Sequence, residues 1–395
     1  MTLLEDTYAP AVAPAVPATE TPFDAALAQI RDGSLSDYTG DVLSALIEAG
    51  SHDVHLTMSS GKAGTRQMRV QVRFEGEIHD VVTYDAEASA RLFGSVKNQA
   101  ALGSQADSPN SVSGSLRFTH NGREVRARAE RLPLVDGGEK VNLRLPESRP
   151  LRSIDELSFT TINRAQVDAC LRMPRGLFLV AGPMNEGKSS TAQTLLLDTL
   201  NRIGGIAVSV EDPPERILPG VDQIPVVDTG DAAATYAHHL EHIVRSDADV
   251  IYIGEIRNAA TARIAQQLSE AGRLVISTIH ANDGLTAMRR MLELSEAPPL
   301  ATLSSIIGVL SQRLVRKVAS RDAGRRYVGR QPIHEVLVNN DQLVDAMVEG
   351  TSASVLRQMT AAASTSFDQN LQELIRAGVT DQDQAVRTIG REVAL

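Results

Sequence analysis

The sequence is poor in aromatic and sulfhydryl side chains. It contains no Trp, its aromatic content is 3%, and Cys170 is its one cysteine. Proteins that bind single-stranded nucleic acid stack the bases on aromatic side chains, so this composition argues against such a surface. A single cysteine can form neither an intramolecular disulfide nor a cysteine-rich zinc site, which is typical of proteins of the reducing cytosol.

Long apolar runs and a positive net charge are also missing. No apolar run approaches the ~18–20 residues that span a bilayer. Residues 1–23 lack the basic start and the continuous apolar core of a secretory signal. The formal net charge is −10, so direct binding to nucleic acid phosphates is not expected. These absences disfavour a membrane-spanning protein, a secreted protein and a nucleic-acid-binding protein.

The length of 395 residues predicts two domains with additional segments. Composition and periodicity divide the chain at turn-rich stretches. The predicted segments are a flexible arm at 1–23, an α+β domain at 24–148, a linker at 149–162, a second domain at 163–330 and a mostly helical region at 331–395.

The first domain carries both helical and strand patterns. Helical spacing of apolar residues predicts helices at 38–49 and 86–102, and alternation with a period of two predicts a strand at 68–74. Asn121-Gly122 lies between two alternating segments and predicts a tight β-hairpin.

The second domain alternates strands with helices. This rhythm predicts a parallel sheet with crossover helices. The predicted elements are a strand at 177–181, a helix at 190–200, a strand at 206–210, a helix at 231–245, a strand at 250–253, a helix at 259–271 and a strand at 274–278.

Between the first strand and helix of this domain lies the sequence G-x-x-x-x-G-K-S, Gly182–Ser189. A strand, a glycine loop and a helix in this order are typical of a phosphate-binding P-loop, whose backbone N–H groups surround the phosphates of ATP. Lys188 can reach the β- and γ-phosphates, and the Ser189 hydroxyl can bind Mg²⁺. A chance glycine turn is the alternative. The candidate nucleotide-binding residues are Gly182, Pro183, Met184, Asn185, Glu186, Gly187, Lys188, Ser189 and Ser190.

Three later strands of this domain end in polar residues. Glu255 follows the strand at 250–253, Glu211 ends the strand at 206–210, and His280 follows the strand at 274–278. Open parallel sheets place ligand chemistry at the carboxyl ends of their strands. A P-loop NTPase needs an acidic residue there for Mg²⁺ and the attacking water, so Glu255 joins Ser189 as a candidate metal residue. Each residue alone could be an ordinary polar strand end.

Four motifs together resemble those of the GspE/PilT-type traffic ATPases of type II and type IV secretion and pilus machines. The resemblance extends from about Asp53 to the C-terminus. It implies an α/β fold with a RecA-like P-loop NTPase core, a smaller α+β (PAS-like) N-terminal domain and a helical C-terminal tail. The matching motifs are Gly182–Ser189 (Walker A), Val210–Glu215 (Asp box), Arg245–Arg257 (Walker B) and Ala271–Asp283 (His box).

The same resemblance suggests arginines that act on the phosphates. Arg128 and Arg144 match positions of the N-terminal domain that face the nucleotide, and Arg245 matches one arginine of the helix before the Walker B motif. Arginine can stabilise charge on the γ-phosphate from another domain or subunit. Alternatively, Arg128 and Arg144 are solvent-facing charges on basic, alternating strands.

The P-loop departs from the family pattern in its interior. Met184-Asn185-Glu186 stands where the family commonly has Thr-Gly-Ser. Asn185 can adopt the positive φ of a glycine. The Glu186 carboxylate would repel the phosphates unless it points away, so replacing it with Ser is expected to tighten ATP binding. Other departures are Glu241, Asn258 and Arg273.

The resemblance implies a cytoplasmic, homohexameric ring that hydrolyses ATP with Mg²⁺ and drives a bacterial secretion, conjugation or type IV pilus machine. A platform protein of the machine would hold it peripherally at the inner membrane. Glu255 would activate water with assistance from Glu211, and His280 would sense the γ-phosphate.

Two other functions stay open. Glu186 and Glu241 are compatible with a weakly active ATP-binding subunit that regulates such a machine. A nucleic-acid-translocating RecA-like ATPase is disfavoured by the charge and by the few aromatics. The sequence does not distinguish between pilus extension, pilus retraction, protein secretion and conjugation.

Overall fold

A computed structural model defines the fold. It describes residue 28 and residues 40–51, 53–60, 66–74, 77–103, 110–146, 150–212, 214–226, 238–239, 241–243, 247–319, 326–361 and 365–395. The chain divides into two compact units, Met1–Leu145 with Ala319–Val328, and Pro146–Val318 with Gly329–Leu395. Among the described helices, none combines the length and the apolar character needed to span a membrane.

The first unit contains a six-stranded antiparallel sheet in the spatial order β3-β2-β1-β6-β5-β4. Helices α1 (Gly40–Glu48) and α2 (Ala86–Gln99) share one core with its inward-facing residues. The strands are β1 (Asp53–Ser60), β2 (Arg66–Phe74), β3 (Glu77–Tyr84), β4 (Val112–His120), β5 (Arg123–Pro133) and β6 (Glu139–Arg144).

The predicted strand and hairpin of this unit are confirmed. Asn121 (φ 50°) and Gly122 (φ 74°) connect β4 to β5, and both have the positive φ that a type I′ turn requires. In β2, Met68, Val70 and Val72 are buried and alternate with more exposed residues. Strand β3 has no counterpart in the prediction.

The second unit contains a seven-stranded sheet in the order β13-β12-β7-β11-β10-β8-β9, and neighbouring strands from β12 to β9 are parallel. The strands are β7 (Gly176–Ala181), β8 (Ala207–Glu211), β9 (Val221–Pro225), β10 (Val250–Ile253), β11 (Leu274–Ile279), β12 (Ile306–Val318) and β13 (Tyr327–Val338).

The helices of this unit cover both faces of the sheet. They are α3 (Thr161–Leu171), α4 (Lys188–Ile203), α5 (Ala259–Glu270), α6 (Gly284–Leu294), α7 (Pro299–Ser305), α8 (Asp341–Val348), α9 (Ala353–Ala361), α10 (Phe367–Arg376) and α11 (Gln382–Ile389). Leu177 and Leu179 of β7 pack into a core with α5 and α6, whereas Phe178 and Val180 pack into a core with α3 and α4. The strand that leads into the P-loop is therefore buried on both faces, as expected at the centre of a parallel sheet.

Cys170 lies in this second core. It is 1% exposed, and its Sγ is 3.6 Å from the carbonyl oxygen of Ile307, which precedes Gly308 in β12. Burial raises the pKa of the Cys170 thiol to about 11. A Cβ at Gly308 would lie 2.8 Å from the sulfur, so the two elements pack closely here.

The end of the sheet differs from the prediction. Residues 331–338, expected in a mostly helical region, form the second part of strand β13, and β9 and β12 were also not predicted. Ile333, Val336, Leu337 and Val338 have a spacing that fits the apolar face of a helix as well as a short buried strand. Pairing with β12 makes the segment a strand. From Asp341 onward the helical prediction holds, with α8 to α11.

The segment before α3 packs as part of the second unit. Ile154 and Leu157 form a 3-10 turn and are buried with α3 and β7, within the stretch predicted as a linker. The predicted arm at 1–23 and most of the predicted helix at 231–245 lie outside the described residues.

Candidate active site

The P-loop joins two well-packed elements. β7 ends at Ala181, and α4 begins at Lys188 after Gly187, whose φ is 75°. Asn185 has a φ of 63°, which confirms the prediction that it adopts a glycine-like conformation. The first N–H groups of a helix have no acceptor within the helix, so the loop and α4 together offer donors and positive partial charge to an anion.

Strand β12 lies directly behind the loop. A Cβ atom at Gly182 would lie 2.8 Å from the Gln312 carbonyl oxygen. This distance is shorter than the contacts that Cβ atoms make in proteins. At Gly187 a Cβ would stand 3.1 Å from Gln312 Nε2, on a backbone that already has a positive φ. The two glycines of the motif are therefore required by the close approach of the loop to β12.

Lys188 connects the loop to two neighbouring strand ends. Its Nζ donates to the Pro183 carbonyl oxygen at 2.6 Å and lies 3.3 Å from His280 Nδ1. His280 Nε2 lies 2.9 Å from Glu255 Oε1. The structure thus brings Lys188, His280 and Glu255 into one line of contacts at the carboxyl edge of the parallel sheet.

The partners of His280 determine its protonation. Partial burial lowers the pKa of His280 and the charge of Lys188 lowers it further, while the Glu255 carboxylate acts in the opposite direction. A lysine ammonium only donates hydrogen bonds and a carboxylate only accepts them. The neutral ring therefore accepts from Lys188 at Nδ1 and donates to Glu255 from Nε2, so it couples the positions of these two residues.

Glu255 is oriented from its second oxygen by Arg257. Arg257 Nε lies 2.6 Å from Glu255 Oε2, and Arg257 Nη1 lies 3.8 Å from Asp212 Oδ2. The Glu255 side chain is 14% exposed. Its carboxylate is therefore held in place and still accessible to a water molecule.

Glu211 has a different environment at the end of β8. Oε1 accepts hydrogen bonds from Ser209 Oγ and Gln223 Nε2, both at 2.8 Å, and Oε2 accepts one from Gln193 Nε2 at 2.9 Å. Burial raises the pKa of Glu211, and these hydrogen bonds oppose the rise. Both oxygens are used in connecting β8 to α4 and to the strand β9.

Glu186 is directed at β12. One of its carboxylate oxygens accepts a hydrogen bond from the Leu314 backbone N–H, and its own carbonyl oxygen accepts one from Gln312 Nε2. Burial raises the pKa of Glu186, whereas the Leu314 hydrogen bond and the charges of Arg313 and Arg330 lower it. The Glu186 side chain therefore points away from the phosphate-binding face of the loop. In this orientation its carboxylate repels the phosphates only weakly.

Gln312 connects the loop to the interior. Its Oε1 accepts from the Thr191 hydroxyl at 2.7 Å and lies 3.1 Å from His334 Nε2. Complete burial lowers the pKa of His334 to about 3, so its ring is neutral, and it stacks on Phe159 with a centroid distance of 4.3 Å. Gln312 was not predicted from the sequence. It lies 126 residues after Glu186 in the chain, and no local sequence pattern indicates their contact.

Two further predicted site residues lie in the first unit. Arg128 and Arg144 belong to the first unit, where they are cross-strand partners on β5 and β6, and Asp53 of β1 is opposite Arg144. Arg245 lies outside the described residues. Of the other P-loop residues, Met184 is exposed, and the Ser190 hydroxyl accepts from Arg216 at 3.4 Å.

The sheet edge fits a magnesium ion that enters with a nucleotide. Ser189, in the first turn of α4, offers a hydroxyl and Glu255 offers a carboxylate, and Mg²⁺ prefers oxygen ligands of this kind. In the described part of the chain no cluster of three or more His, Cys, Asp or Glu side chains could hold a metal by itself. Mg²⁺ bound with a nucleotide needs no such cluster, because phosphates and waters supply its other ligands.

The chain matches the model of the Type II/IV secretion system protein family over residues 29–387. It belongs to this family. The type II secretion system protein HxcR of Pseudomonas aeruginosa is 33% identical over 336 residues, which cover 80% of this chain and 70% of the relative. The type II secretion system protein E of Dickeya dadantii is 30% identical over 383 residues, which cover 89% and 75% of the two chains.

Solved structures of similar proteins agree with the predicted fold class. The ATPase DotB of Legionella pneumophila has a TM-score of 0.66 at 16% identity and covers 89% of this chain and 95% of its own. The pilus retraction motor PilT with bound ADP has a TM-score of 0.63 at 24% identity and covers 88% and 95%. At these identities the likeness shows the fold alone, a RecA-like ATPase core with a smaller N-terminal domain and a helical C-terminal region. As a member of the secretion ATPase family, the chain is a P-loop ATPase.

Proposed function

We propose that this ATPase is the motor of a bacterial secretion, conjugation or type IV pilus machine. The observation that carries the proposal is the line of contacts from Lys188 through His280 to Glu255. These contacts support roles for Lys188 as a phosphate-binding cation, for His280 as a sensor and for Glu255 as the acidic residue of the site. The secretion-system relatives support the class of machine.

Each residue of the edge has a role in ATP hydrolysis. The P-loop backbone and Lys188 bind the phosphates, and Ser189 and Glu255 would hold Mg²⁺, which neutralises charge on the phosphate oxygens when it is bound. Glu255 orients and activates the attacking water. His280 exchanges its contact with Lys188 for one with the γ-phosphate when ATP is bound. Glu211 assists by fixing α4 to β8 through Gln193 and Ser209.

We further propose that the active form is a homohexameric ring, held peripherally at the inner membrane by a platform protein of the machine. Arg128, Arg144 and Arg245 would add positive charge at the γ-phosphate, as arginine fingers do in other NTPases. Arg128 and Arg144 are directly opposite each other on β5 and β6, so their side chains lie on the same face of the sheet, which supports their joint action.

Phosphate release by the purified full chain tests the proposal, with Lys188→Ala as the matched control. Wild-type protein with Mg²⁺ and ATP is expected to release phosphate at least about 100-fold faster than the control, because Lys188 stabilises charge on the transferred phosphoryl group. Equal rates would overturn the proposal and would favour an ATP-binding regulatory subunit instead.

A further inference from the structure

We propose that Glu186 is a positioning residue that fastens the P-loop to strand β12. The inference rests on the proposed ATPase function. It concerns the position at which this chain has glutamate where a serine is common in the family.

Two hydrogen bonds from β12 converge on this one residue. The Leu314 backbone N–H donates to the Glu186 carboxylate, and the Gln312 side chain donates to the Glu186 carbonyl oxygen. A hydrogen bond to an ionised acceptor is about twice as strong as one between neutral groups. A serine side chain is too short to replace the carboxylate without moving the loop. The contact therefore depends on the length and acceptor character of glutamate.

The same stretch of β12 also holds the segment that follows His280. Arg313 Nη2 donates to the Asn282 carbonyl oxygen at 2.7 Å, and Arg313 Nη1 donates to the Gln312 carbonyl oxygen at 2.9 Å. The P-loop and the His280 segment thus share one support. Because Lys188 lies on the first and His280 on the second, β12 sets the distance between these two residues.

The charges around Glu186 favour attachment over repulsion. Arg313, Arg330 and Lys188 all interact favourably with its carboxylate. Removing the carboxylate leaves the partly buried Leu314 N–H without this acceptor, and the loss of this hydrogen bond costs free energy. We therefore expect Glu186→Ser to weaken nucleotide binding, which is the opposite of the effect expected from the sequence.

Two substitutions separate attachment from charge. Glu186→Gln keeps a side-chain oxygen for the Leu314 N–H but removes the charge, whereas Glu186→Ser removes both. Glu296→Ser removes an exposed carboxylate from the loop after α6 and is the matched control. All four full-length proteins are compared for ATP affinity, for KM and kcat, for thermal unfolding and for deuterium exchange at the Leu314 amide.

The Ser variant is expected to bind ATP roughly tenfold more weakly, which is the loss of one charge-assisted hydrogen bond at its lower limit. Its Leu314 amide should exchange faster, and its KM should rise more than its kcat falls. The Gln variant should stay within about threefold of the wild type, since the acceptor is retained. The Glu296→Ser control should match the wild type in all four measurements.

Tighter ATP binding by both Glu186 variants would overturn the proposal, because it would show that charge repulsion dominates. Unchanged affinity and unchanged Leu314 exchange in the Ser variant would overturn it as well. If the wild type itself bound no ATP, the proposed function would fail, and faster Leu314 exchange in the Ser variant would still support the attachment of the loop to β12.

Discussion

The polar residues around the P-loop form two groups that differ in exposure. At the sheet edge, the side chains of Glu255 and His280 are 14% and 45% exposed. In the interior, Glu211 and His334 are 4% and 0% exposed. The edge residues interact with charged partners and keep access to solvent, whereas the interior residues are hydrogen-bonded to protein or neutral. A carboxylate at a strand end is therefore a candidate for chemistry only if it keeps access to solvent.

Replacing Glu255 with Gln is expected to give the largest effect. The rate of ATP hydrolysis should fall by about 10²–10⁴, because an amide cannot activate the attacking water, while ATP binding stays within a few-fold of the wild type. Single-turnover phosphate release and nucleotide titration measure the two quantities. A loss of hydrolysis rate smaller than about threefold would mean that Glu255 does not act as the general base.

Replacing His280 with Ala should lower the rate by roughly 10- to 100-fold, because it removes the connection between Lys188 and Glu255. The pH dependence gives a second test. Burial lowers the pKa of His280, so the ring is neutral at pH 7 and becomes a cation beside Lys188 as the pH falls. Wild-type activity should therefore decline only at a pH lower than the ordinary histidine pKa of about 6.5, and the variant should lack this decline. Parallel profiles for the two proteins would contradict the assignment.

Substitutions in the interior group are expected to lower the stability of the fold more than the rate of ATP hydrolysis. In Glu211→Gln an amide nitrogen would face hydrogen-bond donors such as Gln193 and Gln223. The free energy of unfolding should decrease by about 1–3 kcal/mol, and the hydrolysis rate should change less than it does in Glu255→Gln. Thermal unfolding and phosphate release on the same preparations test this. Equal kinetic losses in the two variants would remove the distinction between the groups.

The smallest expected effect concerns His334. Burial lowers its pKa to about 3, below the value of about 6.5 in the unfolded chain. The unfolded state therefore takes up the proton first, and the stability contributed above pH 6.5 is lost as the pH falls toward 3. His334→Gln keeps a donor for Gln312 but does not titrate, so its stability should fall less steeply, by up to about 1.4 kcal/mol per pH unit. Denaturant unfolding at pH 7, 6 and 5 measures the difference, and identical slopes would refute it.

The sequence was sufficient to predict the residues of the sheet edge. Parallel strands align their carboxyl ends, so the order of strands and polar residues indicated that Glu255, Glu211 and His280 converge on the P-loop. The structure brings His280 to Lys188 and Glu255, whereas the Glu211 oxygens accept hydrogen bonds from Ser209, Gln193 and Gln223. Asn121-Gly122 gave the hairpin, because the turn chemistry is local. The hairpin prediction depends on a short spacing, whereas the sheet-edge prediction depends on the alignment of parallel strand ends, which does not require residues to be close in sequence.

The support behind the P-loop was not predictable from local patterns. Strand β12 contacts Glu186 across a separation of 126 to 128 residues, and the apolar residues of β13 have a spacing that fits a helix as well as a strand. The direction of the Glu186 side chain depended on a strand that the sequence did not reveal. The charge of Glu186 suggested that it repels the phosphates of ATP, whereas its hydrogen bonds suggest that it attaches the P-loop to β12.

The burial of Cys170 has a practical consequence for studying the motor in operation. Its thiol is 1% exposed and its pKa is raised to about 11, so it carries little reactive thiolate near neutral pH. A cysteine introduced at a chosen exposed position would then react selectively with a dye or a cross-linker. Fluorescence distances, and cross-links between the subunits of the proposed ring, could be measured in a chain that keeps its natural core.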